Sequence, residues 1–273
     1  PPNVLRSLLT CPMLAVISPA KTLDFECALP SHHPTKPAYQ DNAAELVSTL
    51  RKKTRPQLRE LMGLSEKLAD LNFERYRTWT PDASDDNARA ALFAFRGDVY
   101  TGFELDEYSR EDLSYAQQHL RILSGLYGIL RPLDLIQPYR LEMGTSLKTT
   151  KGANLYDYWG DQITKALNAA IKKSGAEFLV NLASQEYFSV IQSDALQAEV
   201  ITPQFKQLKN GTYKFLSFYG KKARGMMSDF IIRERIESPD KLKKFSREGY
   251  RFAPELSEGN NWVFTRDEVP AKS

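Results

Sequence analysis

The chain has little of what holds metals or cross-links folds. Two cysteines, Cys11 and Cys27, and three histidines, His32, His33 and His119, occur in 273 residues. Neither set falls at metal-ligand spacing, so no zinc site and no disulfide framework is written into the sequence. Two unpaired thiols fit a reducing compartment. Long apolar runs are missing too: no stretch approaches the roughly 20 residues that span a bilayer. The opening LRSLLTCPMLAVISPA faintly imitates a signal peptide, but Pro12 interrupts it, and Leu14 to Ile17 reads better as a buried first strand. Met13 reads as a natural start, with residues 1–12 as an N-terminal extension. P-loop, Rossmann and G-x-S-x-G signatures are absent. A cytoplasmic protein is expected, with no membrane segment, no metal and no cofactor.

The net charge is only +3. Its distribution says more. Arg51, Lys52, Lys53, Arg55 and Arg59 occur with no acid between them. From Tyr219 to Tyr250, nine Lys or Arg stand against five Asp or Glu, a surplus larger than that of the whole chain. Two concentrated basic stretches suggest a surface that faces a polyanion, and solvated helix faces are the plain alternative.

Strand signals occur at Leu14–Ile17 and Phe178–Leu182, and Asn210-Gly211 marks a hairpin between Glu199–Gln207 and Thr212–Tyr219. Helices are expected from an Asp41 cap to about Arg55, in short pieces to Trp79, and over Ser84–Phe95. Another runs from a Ser109/Asp112 capping box to near Gly125, one from an Asn154 cap to Gly175, and one over Lys221–Ile236. Without repeats or linkers, the economical fold is α/β (mixed α+β): one compact domain over 13–273 with a central mixed sheet. A helical part is expected over 41–96.

The densest segment is SGLYGILRPLDLIQPYRLEMG, from Ser124 to Gly144. Its glycines permit close approaches and its prolines break helices, so it reads as a shaped loop that delivers Arg131, Asp134, Tyr139, Arg140 and Glu142 to defined places. Three other polar sets stand out. Ser18, Lys21 and Asp24 follow the first strand. Asn181, Ser184, Glu186 and Tyr187 follow the second, and ligands gather at such strand ends. Lys221, Lys222 and Arg224 crowd what reads as a helix N-terminus, where the macrodipole disfavours cations unless an anion is near. Each set also has a bland reading as turn, cap, core or ion-pair network. Leu61 to Leu71, with Gly63, Ser65, Lys67 and Ala69, is similar to a helix-hairpin-helix, with Ser65 in place of its second glycine. In that motif, backbone N–H groups hold a DNA phosphate.

Taken together, SPAKTLD at 18–24, LSGLYGILRPLDLIQPYRLEMG at 123–144, NLAS-x-EY at 181–187 and FYGKKARGMM at 218–227 resemble the YaaA family of bacterial peroxide-stress proteins. The resemblance runs from Met13 to about Phe264. It implies a protein that limits oxidative damage and is associated with lowered free intracellular iron. It also implies a single mixed α/β domain with a basic cleft and a helix-hairpin-helix, and binding of duplex or distorted DNA. Carried onto this chain, the hairpin is Gly63 to Ala69, and the cleft cations include Lys21, Arg140, Lys221, Lys222 and Arg224.

Two functions follow. The first is DNA binding through Gly63, Ser65, Lys67, Lys221, Lys222 and Arg224, with affinity dominated by counterion release. The second is an enzyme acting on a nucleobase, nucleotide or other small anion. There Arg140 or Lys221 clamps a phosphate, Lys21, Glu142 or Glu186 moves protons, and Tyr139 or Tyr187 stacks on a base. Convergence of Lys21, Arg140, Glu142, Glu186 and Lys221 on one concave pocket favours the enzyme. An open cationic groove reaching Gly63 favours plain DNA binding.

Overall fold

A computed structural model describes residues 13–27 and 33–267. Residues 1–12, with Cys11, and His32 lie outside the described residues. The central sheet has eight strands: β1 (Met13–Ile17), β2 (Leu120–Ser124), β3 (Gly128–Leu130), β4 (Phe178–Leu182), β5 (Glu199–Lys209), β6 (Thr212–Lys214), β7 (Arg251–Phe252) and β8 (Asn261–Arg266). Their spatial order is β7-β8-β5-β4-β1-β2-β3, with β6 folded back on the far end of β5. The five strands from β8 to β2 are parallel, and β3, β6 and β7 are antiparallel additions.

All five residues of β1 are buried, as a central parallel strand covered on both faces requires. In β5, by contrast, Ile201, Pro203, Phe205 and Gln207 are buried in alternation, so one face turns outward. From β1 the chain adds β2 on one side. It then returns to place β4 on the other, with Val16 opposite both Arg121 and Asn181. The carboxyl ends of β1 and β4 therefore meet at the point where strand order reverses, the usual ligand crevice of such sheets.

Six helices of eight residues or more surround the sheet: α1 (Gln40–Arg51), α2 (Arg55–Met62), α3 (Glu66–Thr78), α4 (Arg110–His119), α5 (Gln162–Ser174) and α6 (Ser217–Arg233). Several sequence expectations change here. Asp41 lies in the first turn of α1 behind an N-cap at Tyr39, and α1 stops at Arg51. Thr54 and Gln57 form a capping box that starts a separate helix, with Pro56 in its first turn, where a missing N–H costs nothing. No helix spans Ser84–Phe95. Only Ala91–Ala94 is helical, because Arg89–Ala90 pairs with Leu135–Ile136 and Phe95–Arg96 with Thr22–Leu23.

The Ser109/Asp112 box does cap α4, but the chain becomes strand at Leu120, where pairing with β1 overrides helical propensity. Asn154 caps only Leu155–Trp159. Gly160, at φ +49°, breaks the helix before α5, which ends at Gly175 as expected. The hairpin at Asn210-Gly211 forms, with a shorter second strand than the sequence suggests.

The Ser124–Gly144 segment is anchored by close contacts. A Cβ on Gly125 would lie 2.3 Å from the Leu141 carbonyl, and Gly128, at φ +69°, faces the Trp159 ring at a distance no Cβ would tolerate. Trp159 Nε1 donates to the Gly125 carbonyl at 3.1 Å. The Tyr139 hydroxyl meets Ser124 Oγ at 2.7 Å, and the Tyr76 hydroxyl of α3 donates to the Arg140 carbonyl. These posts fix the chain just before Glu142.

Candidate functional site

Five segments close around a cavity of about 400 Å³ at the crossover. Ser18 to Thr22 leave β1; Arg96 to Val99 form the next wall; Glu142 comes from the end of the shaped segment; Ser184, Glu186 and Tyr187 follow β4; Lys221 and Arg224 stand on α6. The strand ends are joined directly, since Ser184 N–H donates to Ser18 Oγ at 2.8 Å. Pairing of Thr22 with Arg96 holds the first two walls together, and the Arg96 guanidinium donates to Asp24 at 3.2 Å.

The α6 wall depends on two glycines. A Cβ on Gly225 would lie 1.7 Å from the Val99 carbonyl, and one on Gly102 would lie 2.4 Å from both the Lys222 carbonyl and Met226 N. The 97–103 turn and α6 thus meet backbone to backbone. That contact brings Asp98 to within 3.6 Å of Lys221.

Inside the cavity the charges are partly matched. Glu142 accepts from Lys21 Nζ on Oε2 at 2.5 Å and from Arg140 Nη2 on Oε1 at 3.1 Å. Glu186 Oε1 accepts from Gly144 N–H at 2.9 Å. Burial, with Tyr139, Glu186 and Glu142 nearby, pushes the Tyr187 phenol well above its ordinary value, so it stays a neutral hydroxyl. Arg224 differs: none of the described carboxylates pairs with it, and burial pulls its guanidinium below the usual value. A cation taken partly out of water without a counter-charge, at a cavity wall, is set for an anion from outside the chain.

The structure brings Lys21, Glu142, Glu186, Lys221 and Arg224 to this one cavity. Arg140 stands behind Glu142 and points both donors at it. Tyr139 is buried at Ser124 rather than in the cavity. Arg131 and Asp134 are elsewhere too: Asp134, almost wholly buried, accepts from Arg131 and from Thr35 Oγ1 as a structural brace.

Lys222 turns away from Lys221 and pairs with Glu248 beside a separate polar basin. Because α6 begins at Ser217, both lysines lie in its second turn, beyond most of the unfavourable N-terminal field. Gly63, Ser65 and Lys67 are exposed, and none of them lines this cavity. Gly63, at φ +60°, ends α2, and Ser65 Oγ accepts from Leu68 N–H to start α3.

Of the basic run before the hairpin, Arg51 donates to the Tyr76 and Trp79 carbonyls and Arg55 pairs with Asp70 and Glu74. Lys52, Lys53 and Arg59 have no ion-pair partner among the described residues. The sequence reading missed Arg96 and Asp98; the signal was Gly97-Asp98, a turn pair just beyond the helix expected over Ser84–Phe95.

Comparison with known proteins gives this site a family. The model for "Peroxide stress protein YaaA" matches residues 13–256. The chain belongs to that family. It is 52% identical over 255 residues to a "UPF0246 protein" of Hahella chejuensis, covering 93% of this chain and all of the relative. It is also 52% identical over 256 residues to a "UPF0246 protein" of Cellvibrio japonicus, covering 94% of this chain and 99% of the relative. The matched span of the peroxide stress family contains every wall of the cavity. No helix among the described residues is long and apolar enough to cross a membrane.

Proposed function

We propose that this member of the peroxide stress family takes a small anionic substrate, such as a nucleotide or nucleobase-bearing phosphate, into the cavity at the β1/β4 crossover and acts on it there. The observation that carries the reading is the convergence of Lys21, Glu142, Glu186, Lys221 and Arg224 on that cavity, with no carboxylate partner for the Arg224 guanidinium among the described residues. Arg224 and Lys221 hold the anion. Glu142 accepts a proton from it, and Lys21, in contact with Glu142, returns one. Incubating the purified chain with nucleosides, nucleotides and oligonucleotides and following products by mass spectrometry tests this. Glu142→Gln should stop turnover while leaving binding largely intact, and turnover unaffected by Glu142→Gln would remove that role.

DNA binding is the second reading, favoured by the exposed turn at Gly63 and Ser65, with Lys52, Lys53, Arg59 and Lys67 nearby in sequence. The two readings coexist if an unpaired base enters the cavity from DNA held at the hairpin. Duplex or bulged DNA should then bind with a steep salt dependence, and binding that ignores salt would rule it out. An association with lowered free iron would run through the reaction at the cavity. Among the described residues, no three His, Cys, Asp or Glu side chains gather in a way that could hold a metal ion.

A further inference from the structure

Two phenylalanines near the cavity are half-exposed, Phe215 and Phe218, each at 52%. Phe215 is not loose. Its ring lies against α6 at Gly220, where an added Cβ would fall 2.2 Å from Cε2. The glycine makes a notch that presses one part of the ring onto the helix and leaves the rest in water. The Arg224 guanidinium sits 5.8 Å from the centre of the same ring. Arg224 also lines the cavity, together with Lys221, which stands one turn after Phe218. An aromatic face fixed by a glycine notch therefore borders the one cavity cation that has no carboxylate partner among the described residues.

We propose that Phe215, flanked by Phe218, is a stacking platform for the base of a nucleotide whose phosphate is held at Arg224 and Lys221. The inference rests on the anion-pocket reading above and adds the surface that would take the base. A pinned flat ring favours a planar partner over a flexible chain, and each base offers a π-face of that kind. The neighbouring guanidinium requires negative charge within reach of the same ligand. A planar group and a phosphate in one small molecule describe a nucleotide, either free or as an unpaired residue of a strand.

Calorimetric titration of the full-length chain with adenosine 5′-monophosphate, adenosine, inorganic phosphate and a short single-stranded oligonucleotide tests this. The wild type should bind the monophosphate about tenfold or more tightly than phosphate alone. Phe215→Leu should lose about tenfold in nucleotide affinity and keep its phosphate affinity. Gly220→Ala, which displaces the ring while adding a better helix former, should do the same. Thermal melts followed by circular dichroism show that both variants are folded.

Relative affinity for mononucleotide and oligonucleotide distinguishes the two sources, and either supports the platform. Equal binding of monophosphate and phosphate, or variants that bind nucleotide like the wild type, overturns the platform and leaves the anion pocket standing. No binding of any ligand overturns both. A wild-type dimer in light scattering that Phe215→Leu converts to monomer makes the patch a self-association face and also overturns it.

Discussion

The Lys21 ammonium lies 2.5 Å from Oε2 of Glu142, joining the loop after the first strand to the end of the Ser124–Gly144 segment. Arg140 holds the other oxygen of the same carboxylate. The two cations are not equivalent, because Lys21 is 62% exposed and Arg140 only 17%. Replacing Lys21 by Met should cost at most about 1 kcal/mol in urea denaturation. Replacing Glu142 by Gln weakens the acceptor for a largely buried guanidinium and should cost about 2 kcal/mol. A larger loss for Lys21→Met than for Glu142→Gln would contradict this order.

The backbone contact between Gly102 and α6 sets the shape of the cavity wall. Gly225→Ala would drive a methyl into the Val99 carbonyl, so it should destabilise the fold by about 3 kcal/mol. Gly63→Ala meets no neighbour and should cost only about 1 kcal/mol, from its left-handed backbone. Urea midpoints of the two variants give the comparison.

Lys221 and Lys222 are adjacent in sequence but should separate in function. Lys222→Ala removes one of two partners of Glu248, since Arg266 also pairs with it at 3.0 Å, and should lower stability by about 1 kcal/mol without changing anion binding. Lys221→Ala should weaken phosphate or nucleotide binding and leave the melting temperature nearly unchanged. Equal effects of the two substitutions on binding would mean that the cations act as one surface.

Stability should fall with pH in two windows. Burial lowers the His119 pKa despite its contact with the Met13 carbonyl. A depressed histidine is protonated more readily when unfolded. Its contribution is therefore complete above about pH 6.5 and declines as pH falls toward the folded value. Burial raises the Glu248 carboxyl, but Lys222 and Arg266 outweigh it and hold the pKa down. That contribution persists above about pH 4.5 and is lost as pH falls through the folded value. Denaturation midpoints across pH 2 to 8, with His119→Gln flattening only the upper window, check both signs.

The sequence made the two central strands legible because Leu14–Ile17 and Phe178–Leu182 are short apolar runs that stop at polar turns. It made the cavity legible in part, since Lys21, Glu186 and Glu142 follow such strands or glycine-shaped turns. It could not show that Arg140 would be spent on Glu142, or that Lys222 would face away from Lys221. The first is a contact within a loop whose path is set by Gly125, Tyr76 and Trp159, and the second follows from a helix that starts four residues before Lys221. What places Arg96 and Asp98 at the cavity is the pairing of Phe95–Arg96 with Thr22–Leu23, and both residues follow the helix expected over Ser84–Phe95. That segment has helical composition, yet its two ends are captured by strands from residues 22–23 and 135–136, pairings that local propensity cannot report.

The central claim is that Arg224 and Lys221 hold an anion in the cavity between β1 and β4. Calorimetric titration of inorganic phosphate into the full chain and into Arg224→Met tests it most directly. Saturable binding by the wild type, lost in Arg224→Met while the melting temperature holds, is the predicted result. Absence of binding by the wild type, or equal binding by both proteins, would contradict it.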